Sequence, residues 1–158
     1  MNETTLAAAN VKIVHDKAQN LKRFVEMIDE AAGRGADILV LPEAGLQGYA
    51  DFALSAGSKE CTEQKRYYFR EAETIPGPAT QRIGELARRR GMLIQLGLAE
   101  RALHGNAIYN STALIGPRGR DRHLPQGPQP IRVSLLRARR RVACVSNPPR
   151  HTVEHHLL

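Results

Sequence analysis

A chain of 158 residues with 42% hydrophobic residues fits one ordinary domain with a real core. No run approaches the roughly eighteen apolar residues of a membrane span, and Met1–Thr5 has no basic start leading into an apolar stretch; the expectation is a soluble, cytoplasmic protein with no membrane partner. The formal charge of +7 is unevenly placed: residues 1–119 hold 15 Lys+Arg against 14 Asp+Glu, whereas 120–158 hold eight Arg against only Asp121 and Glu154.

Leu6 to Val14 reads as a first strand. Asp16, with Gln19 three positions on, has the pattern of a helix N-cap and capping box. Leu21, Val25, Ile28 and Ala32 then recur at helical spacing, with Phe24 and Ala31 widening the stripe, and Gly33 and Gly35 close the helix. Ile38-Leu39-Val40-Leu41 is a short apolar run suited to a strand buried on both faces, and Pro42 ends it. A mostly polar stretch over 51–75 is expected to be partly helical. Pro76-Gly77-Pro78 predicts a turn into a further helix with Pro78 in its first turn, closed by Arg88-Arg89-Arg90-Gly91. Met92–Ala99 and Ala107–Ile115 read as adjacent strands joined by a polar loop.

Beyond Gly119 this regularity stops. Residues 121–130 hold three prolines, Arg137 to Arg141 is an arginine cluster, Pro148-Pro149 breaks any element, and neither a helical stripe nor strand alternation is sustained. Cys61 and Cys144 make no disulfide framework and no metal cluster. His151 and His155 are four apart, but Pro148-Pro149 and the lack of a carboxylate beyond Glu154 argue against a metal site there. Neither metal nor cofactor is expected.

Leu41-Pro42-Glu43 at the end of a buried strand, followed by Gly48-Tyr49, resembles the first signature of the nitrilase superfamily of carbon–nitrogen hydrolases. Ala36-Asp37-Ile38-Leu39-Val40, Ile75-Pro76-Gly77-Pro78, Gly97-Leu98-Ala99-Glu100-Arg101 and Tyr109-Asn110-Ser111-Thr112-Ala113-Leu114-Ile115-Gly116 match further pieces in order. One such motif is weak; five in register are specific. The resemblance covers about residues 6–119, less than half of a full family domain. It implies an α/β fold, the four-layer α-β-β-α sandwich, with this chain holding an incomplete amino-terminal half. It also implies a small amide or nitrile as substrate, pairing into a homo-oligomer, and a Glu, a Lys and a Cys acting together. In that chemistry a carboxylate removes the thiol proton, the thiolate attacks the nitrile or amide carbon, and an ammonium steadies the developing charge. By motif position Glu43 is the base. A lone Glu after Leu-Pro would otherwise be read as a solvated loop carboxylate.

The lysine and the cysteine do not transfer. No lysine follows Lys65; Cys144 falls short of the expected distance and precedes Val145 rather than a tyrosine; Cys61 lies in a polar, helix-like segment. The codons of residues 121–130, read one base later, can spell Ile-Gly-Thr-Tyr-Arg-Lys-Val-His-Asn, the missing lysine motif. In the same frame Leu136–Val145 can encode a family-like segment and Leu157 a cysteine. The expected organisation is therefore 1–119 as the amino-terminal part of the hydrolase domain, and 120–158 as a basic, out-of-frame and poorly ordered tail.

Two readings follow for the chain as written. One is a hydrolase-family polypeptide without turnover, since two of three chemical roles are absent. The other is a binding protein using Arg137-Ala138-Arg139-Arg140-Arg141 on nucleic acid or another anionic partner. A nucleic-acid partner is disfavoured, because the tail lacks aromatic residues for base stacking and any known binding motif.

Overall fold

The computed structural model describes residues 4–49 and 57–117, together with the backbone of Val133–Arg141. The readings made for Cys144, His151 and His155 lie outside the described residues. Among the described residues no helix is long and apolar enough to cross a membrane.

The fold is mixed α/β, built on one five-stranded sheet in the order β1 (Leu6–Ala8), β2 (Ile38–Val40), β3 (Leu93–Arg101), β4 (Ile108–Ile115) and β5 (Val133–Arg141). β1 and β2 pair in parallel, as do β2 and β3, while β4 and β5 continue antiparallel. The helices are α1 (Lys17–Gly33), α2 (Lys59–Glu71) and α3 (Pro78–Arg90).

Asp16 caps α1 as expected, accepting from the Gln19 N–H at 2.9 Å. The buried stripe is Asn20, Phe24, Ile28 and Ala31, so the helix is turned slightly from the stripe read in sequence. Phe24 and Ala31 face the core, while Leu21, Val25 and Ala32 flank it, half-buried. Gly35 takes the left-handed turn after α1, with φ 75°. Pro78 opens α3 and Gly91 ends it at φ 68°. The α3 N-terminus is held by Glu73, whose carboxylate accepts from the Ala79 N–H at 2.8 Å, an anion placed where the helix dipole favours it. α1 and α3 cover one face of the sheet, enclosing Leu39, Ile94, Leu96, Ala113 and Ile115. Side chains alternate along β3, so Gln95, Gly97 and Ala99 point to the opposite face. There α2 packs Tyr68 and Ala72 against Ala99 and Ile108.

Two expectations need correction. The first strand is only three residues long: β2 stops before Pro42, so after Ala9 donates to Val40 O the backbone of 10–14 has no strand to pair with among the described residues. Val14 N–H turns instead to the side chain of Asn20. The second concerns the tail, where no strand alternation was found. The backbone of 133–141 nonetheless pairs along β4, Ile115 opposite Val133 and Tyr109 opposite Arg141, with a register shift between Asn110 and Thr112. The open edge of β4 offers a row of N–H and C=O groups that pair with an extended backbone whatever its side-chain pattern.

Candidate active site

Glu43 lies three residues past β2, at the carboxyl end of a parallel strand, where crevices of α/β sheets form. Pro42 cannot continue the ladder, so the chain leaves β3 after Leu41 N–H donates to Gln95 O. It then arches over β3 and rejoins it where Leu46 N–H donates to Gly97 O at 3.1 Å. The arch is tight. Ala44 sits in the left-handed region at φ 49°, a conformation that costs an L-residue about 1 kcal/mol. It is held there by Gly45 N–H to Pro42 O and Gly48 N–H to Ala44 O.

Gly97 makes room beneath the arch. A Cβ there would stand 2.5 Å from Pro42 O, 2.7 Å from Ala44 N and 2.7 Å from Glu43 Cα. The glycine of the Gly97-Leu98-Ala99-Glu100-Arg101 motif is thus required by the close approach of the Glu43 backbone.

The Glu43 side chain is solvent-accessible and held at both oxygens. Asn110 Nδ2 donates to Oε1 at 2.7 Å, and the Tyr49 hydroxyl donates to Oε2. Asn110 is carried by β4 on the face that also bears Gly97 and Ala99. Tyr49 closes the far end of the arch. Its phenol is held above the ordinary value of 10.0, first because it donates to Glu43 and then through burial and the carboxylate's charge.

Next to the arch, Gln47 is fully buried and fills the gap that the arch leaves in the ladder. Its Oε1 accepts from Ala99 N–H at 2.8 Å, and its Nε2 donates to Glu71 O at 3.0 Å. Cys61 is not brought to Glu43's solvent-facing side: it is a free thiol in the first turn of α2, 0% exposed, with its N–H capped by Ser58 Oγ. Lys17, the first residue of α1, is engaged with Glu71 at 3.3 Å and Glu73 at 3.1 Å. The residues whose roles the sequence reading missed are Tyr49 and Asn110. Both stood within recognised motif pieces, but nothing local marks them as partners of Glu43.

An accessible carboxylate, oriented from two sides, thus stands at the end of a parallel strand. The chain matches the Carbon-nitrogen hydrolase family over residues 5–146, a span that crosses the Gly119–Arg120 boundary. It is 32% identical over 127 residues to a bifunctional nitrilase/nitrile hydratase of Lupinus angustifolius, covering 75% of this chain and 36% of that protein. It is also 32% identical over 120 residues to an omega-amidase of Danio rerio, covering 75% of this chain and 38% of the relative. Among solved structures, a CN-hydrolase superfamily protein of Xanthomonas campestris aligns with a TM-score of 0.56 at 22% identity, over 75% of this chain and 38% of the other. Nit3 of Saccharomyces cerevisiae, of the nitrilase superfamily, aligns with a TM-score of 0.52 at 22% identity, over 68% of this chain and 37% of its own. The chain belongs to the carbon–nitrogen hydrolase family. It spans well under half the length of these relatives.

Proposed function

We propose that Glu43 is the general base of a carbon–nitrogen hydrolase acting on a small amide or nitrile, and that this 158-residue chain carries the base without its two chemical partners. The observation behind this reading is the carboxylate of Glu43, accessible and oriented at both oxygens by Asn110 and Tyr49, in a chain of this family. In the complete reaction the base takes the proton of a cysteine thiol. The thiolate adds to the substrate carbon while a lysine ammonium steadies the charge on the oxygen or nitrogen. An amide adduct expels its amine, which takes the proton back from the base. A nitrile gives a thioimidate that first adds one water and then expels ammonia, so a thioester is left in both cases. Water, deprotonated by the same carboxylate, then releases the acid and restores the thiol. The 158-residue chain has no lysine after Lys65 and a buried Cys61, so the polypeptide alone is proposed not to turn over.

The test joins residues 1–119 to the coding frame read one base later and followed to its own stop, which by codon choice can carry Tyr-Arg-Lys and a cysteine. That chain should release ammonia from simple aliphatic amides or nitriles, and Glu43→Gln in it should abolish the release. The chain as written should stay at background. Full turnover by the Glu43→Gln form would remove Glu43 from the role of base. Coding DNA whose second frame lacks these motifs would end the frameshift reading.

A further inference from the structure

Four consecutive backbone carbonyls follow the arch, and each accepts a hydrogen bond from a different side chain. Asn20 Nδ2 donates to Leu46 O at 3.2 Å, and the Tyr67 hydroxyl donates to Gln47 O at 2.7 Å. The Tyr68 hydroxyl donates to Gly48 O at 2.6 Å, and His15 Nε2 donates to Tyr49 O at 2.5 Å. A carbonyl only accepts, so His15 must carry its proton on Nε2; the neutral tautomer and the imidazolium both satisfy this.

The donors come from two places far apart in sequence. His15 and Asn20 flank the start of α1, while Tyr67 and Tyr68 are neighbours in α2. They are also braced against one another. The rings of His15 and Tyr67 lie 5.5 Å apart, and those of Tyr67 and Tyr68 lie 5.5 Å apart, edge to face. Asn20 is itself fixed, accepting from Val14 N–H and donating to Val14 O. Beneath His15, Gly48 sits at φ 95°, and a Cβ on it would stand 2.7 Å from the His15 ring. The imidazole thus lies directly on the backbone that leads to Tyr49.

Leu46, Gln47 and Gly48 are buried, so their carbonyls need protein partners. Tyr49 is exposed and its carbonyl could be left to water, yet it too is bound by a side chain. Tyr49 is also the residue whose phenol holds Glu43. We infer that Asn20, Tyr67, Tyr68 and His15 form a positioning cradle that fixes the Tyr49 backbone, so that its hydroxyl meets the Glu43 carboxylate. The four donate to the backbone carbonyls of 46–49, and they are positioning residues acting through Tyr49. Their functional meaning rests on the reading of Glu43 as base, but the mechanical link does not.

The test reads the phenol of Tyr49 directly. Tyrosines labelled at Cζ are titrated by NMR in the full chain, and Tyr49→Phe assigns the resonance. In the wild type Tyr49 should titrate above the ordinary tyrosine value of about 10. Glu43→Gln should bring it down toward that value and sets the reference for complete release. Tyr67→Phe and Tyr68→Phe keep the rings and remove only the hydroxyls. Together with His15→Ala they should move the Tyr49 titration in the same direction, with circular dichroism unchanged. If the three variants leave Tyr49 unmoved while Glu43→Gln shifts it, the cradle is overturned and the site stands. If Glu43→Gln also has no effect, the phenol–carboxylate bond is absent and the cradle falls with it. The reading of Glu43 as base is decided separately, by ammonia release from the restored chain.

Discussion

Asn110 on β4 reaches across 67 residues of sequence to donate its amide to Glu43, 2.7 Å away on the arch beyond β2. The bond ties an antiparallel strand to the carboxyl end of a parallel one. The register of β4 against β3, with Asn110 opposite Ala99 and Thr112 opposite Gly97, puts the amide on the arch side of the sheet. A slip of one residue would turn it to the helical face.

Asn110→Ala should therefore cost about 1 kcal/mol in urea unfolding, the usual net worth of one partly solvated hydrogen bond. Asn110→Asp should be worse at neutral pH, because it sets a second carboxylate against Glu43. The gap between the two variants should close with added salt and in acid, as charge repulsion is screened and then protonated away. An Asp variant as stable as the Ala variant at neutral pH and low salt would mean the two side chains do not meet.

Gly97→Ala brings a Cβ to within 2.5–2.7 Å of three backbone atoms of the arch, none of which is a movable side chain. Overpacking of this kind costs about 1–3 kcal/mol. The arch must lift, so the Tyr49 phenol should also fall toward its ordinary titration. By contrast Ala44→Gly relieves a left-handed alanine at φ 49°, and its stability should stay within about 1 kcal/mol of wild type. Thermal melts of the two variants check both statements.

The sequence carried the local rules well. Asp16 could be read as a cap, Pro78 as the first turn of α3, and Ile38–Val40 as a strand, because each depends on neighbours in the chain. Burial on both faces was not met, since Leu39 is buried while Ile38 and Val40 are half-buried. Glu43 was legible through its motif, since its position at a strand end follows from Leu41-Pro42. Tyr49 and Asn110 were visible only as letters in motifs. Their roles arise from contacts made across β3, which no local periodicity reports. The early end of β1 likewise follows from the shortness of its partner β2, not from its own composition. The pairing of 133–141 with β4 comes from backbone groups that side-chain patterning does not describe.

Gln47 gives a prediction about the ladder itself. Its buried amide stands in for a missing strand residue, satisfying Ala99 N–H and Glu71 C=O at once. Gln47→Leu keeps the bulk but leaves the Ala99 N–H unpaired, while Glu71 O keeps its contact with Lys17 Nζ at 3.4 Å. The expected loss is about 1–3 kcal/mol, the cost of one unpaired buried group. Hydrogen exchange should show the Ala99 amide losing protection well before those of Ile94 and Leu96. Uniform protection across β3 in this variant would contradict the patching role.

Stability should fall on both limbs of the pH scale, for opposite reasons. Tyr67 is pushed up to about 12, mainly by burial and then by the charges of Glu71 and Asp16. Burial, followed by Tyr67, also raises Tyr68 well above 10.0. Tyr49 is raised as well, by its bond to Glu43. A folded pKa above the unfolded one means the folded state keeps its proton longer. That stabilisation is whole below about pH 10 and is lost as pH climbs through the raised values. Glu71 is the reverse case. The Arg70 hydrogen bond and then Lys17 hold it below its usual 4.5, so its contribution is present above that pH and fades as acid protonates it. Urea midpoints should therefore be level between these limits. Tyr67→Phe should soften the alkaline limb only in part, because Tyr68 and Tyr49 remain, and should leave the acid limb as it was. Lys17→Met should soften the acid limb only in part, because the Arg70 contact to Glu71 remains. A midpoint that holds level to pH 12 in the wild type would show that the phenols are not buried as the cradle requires.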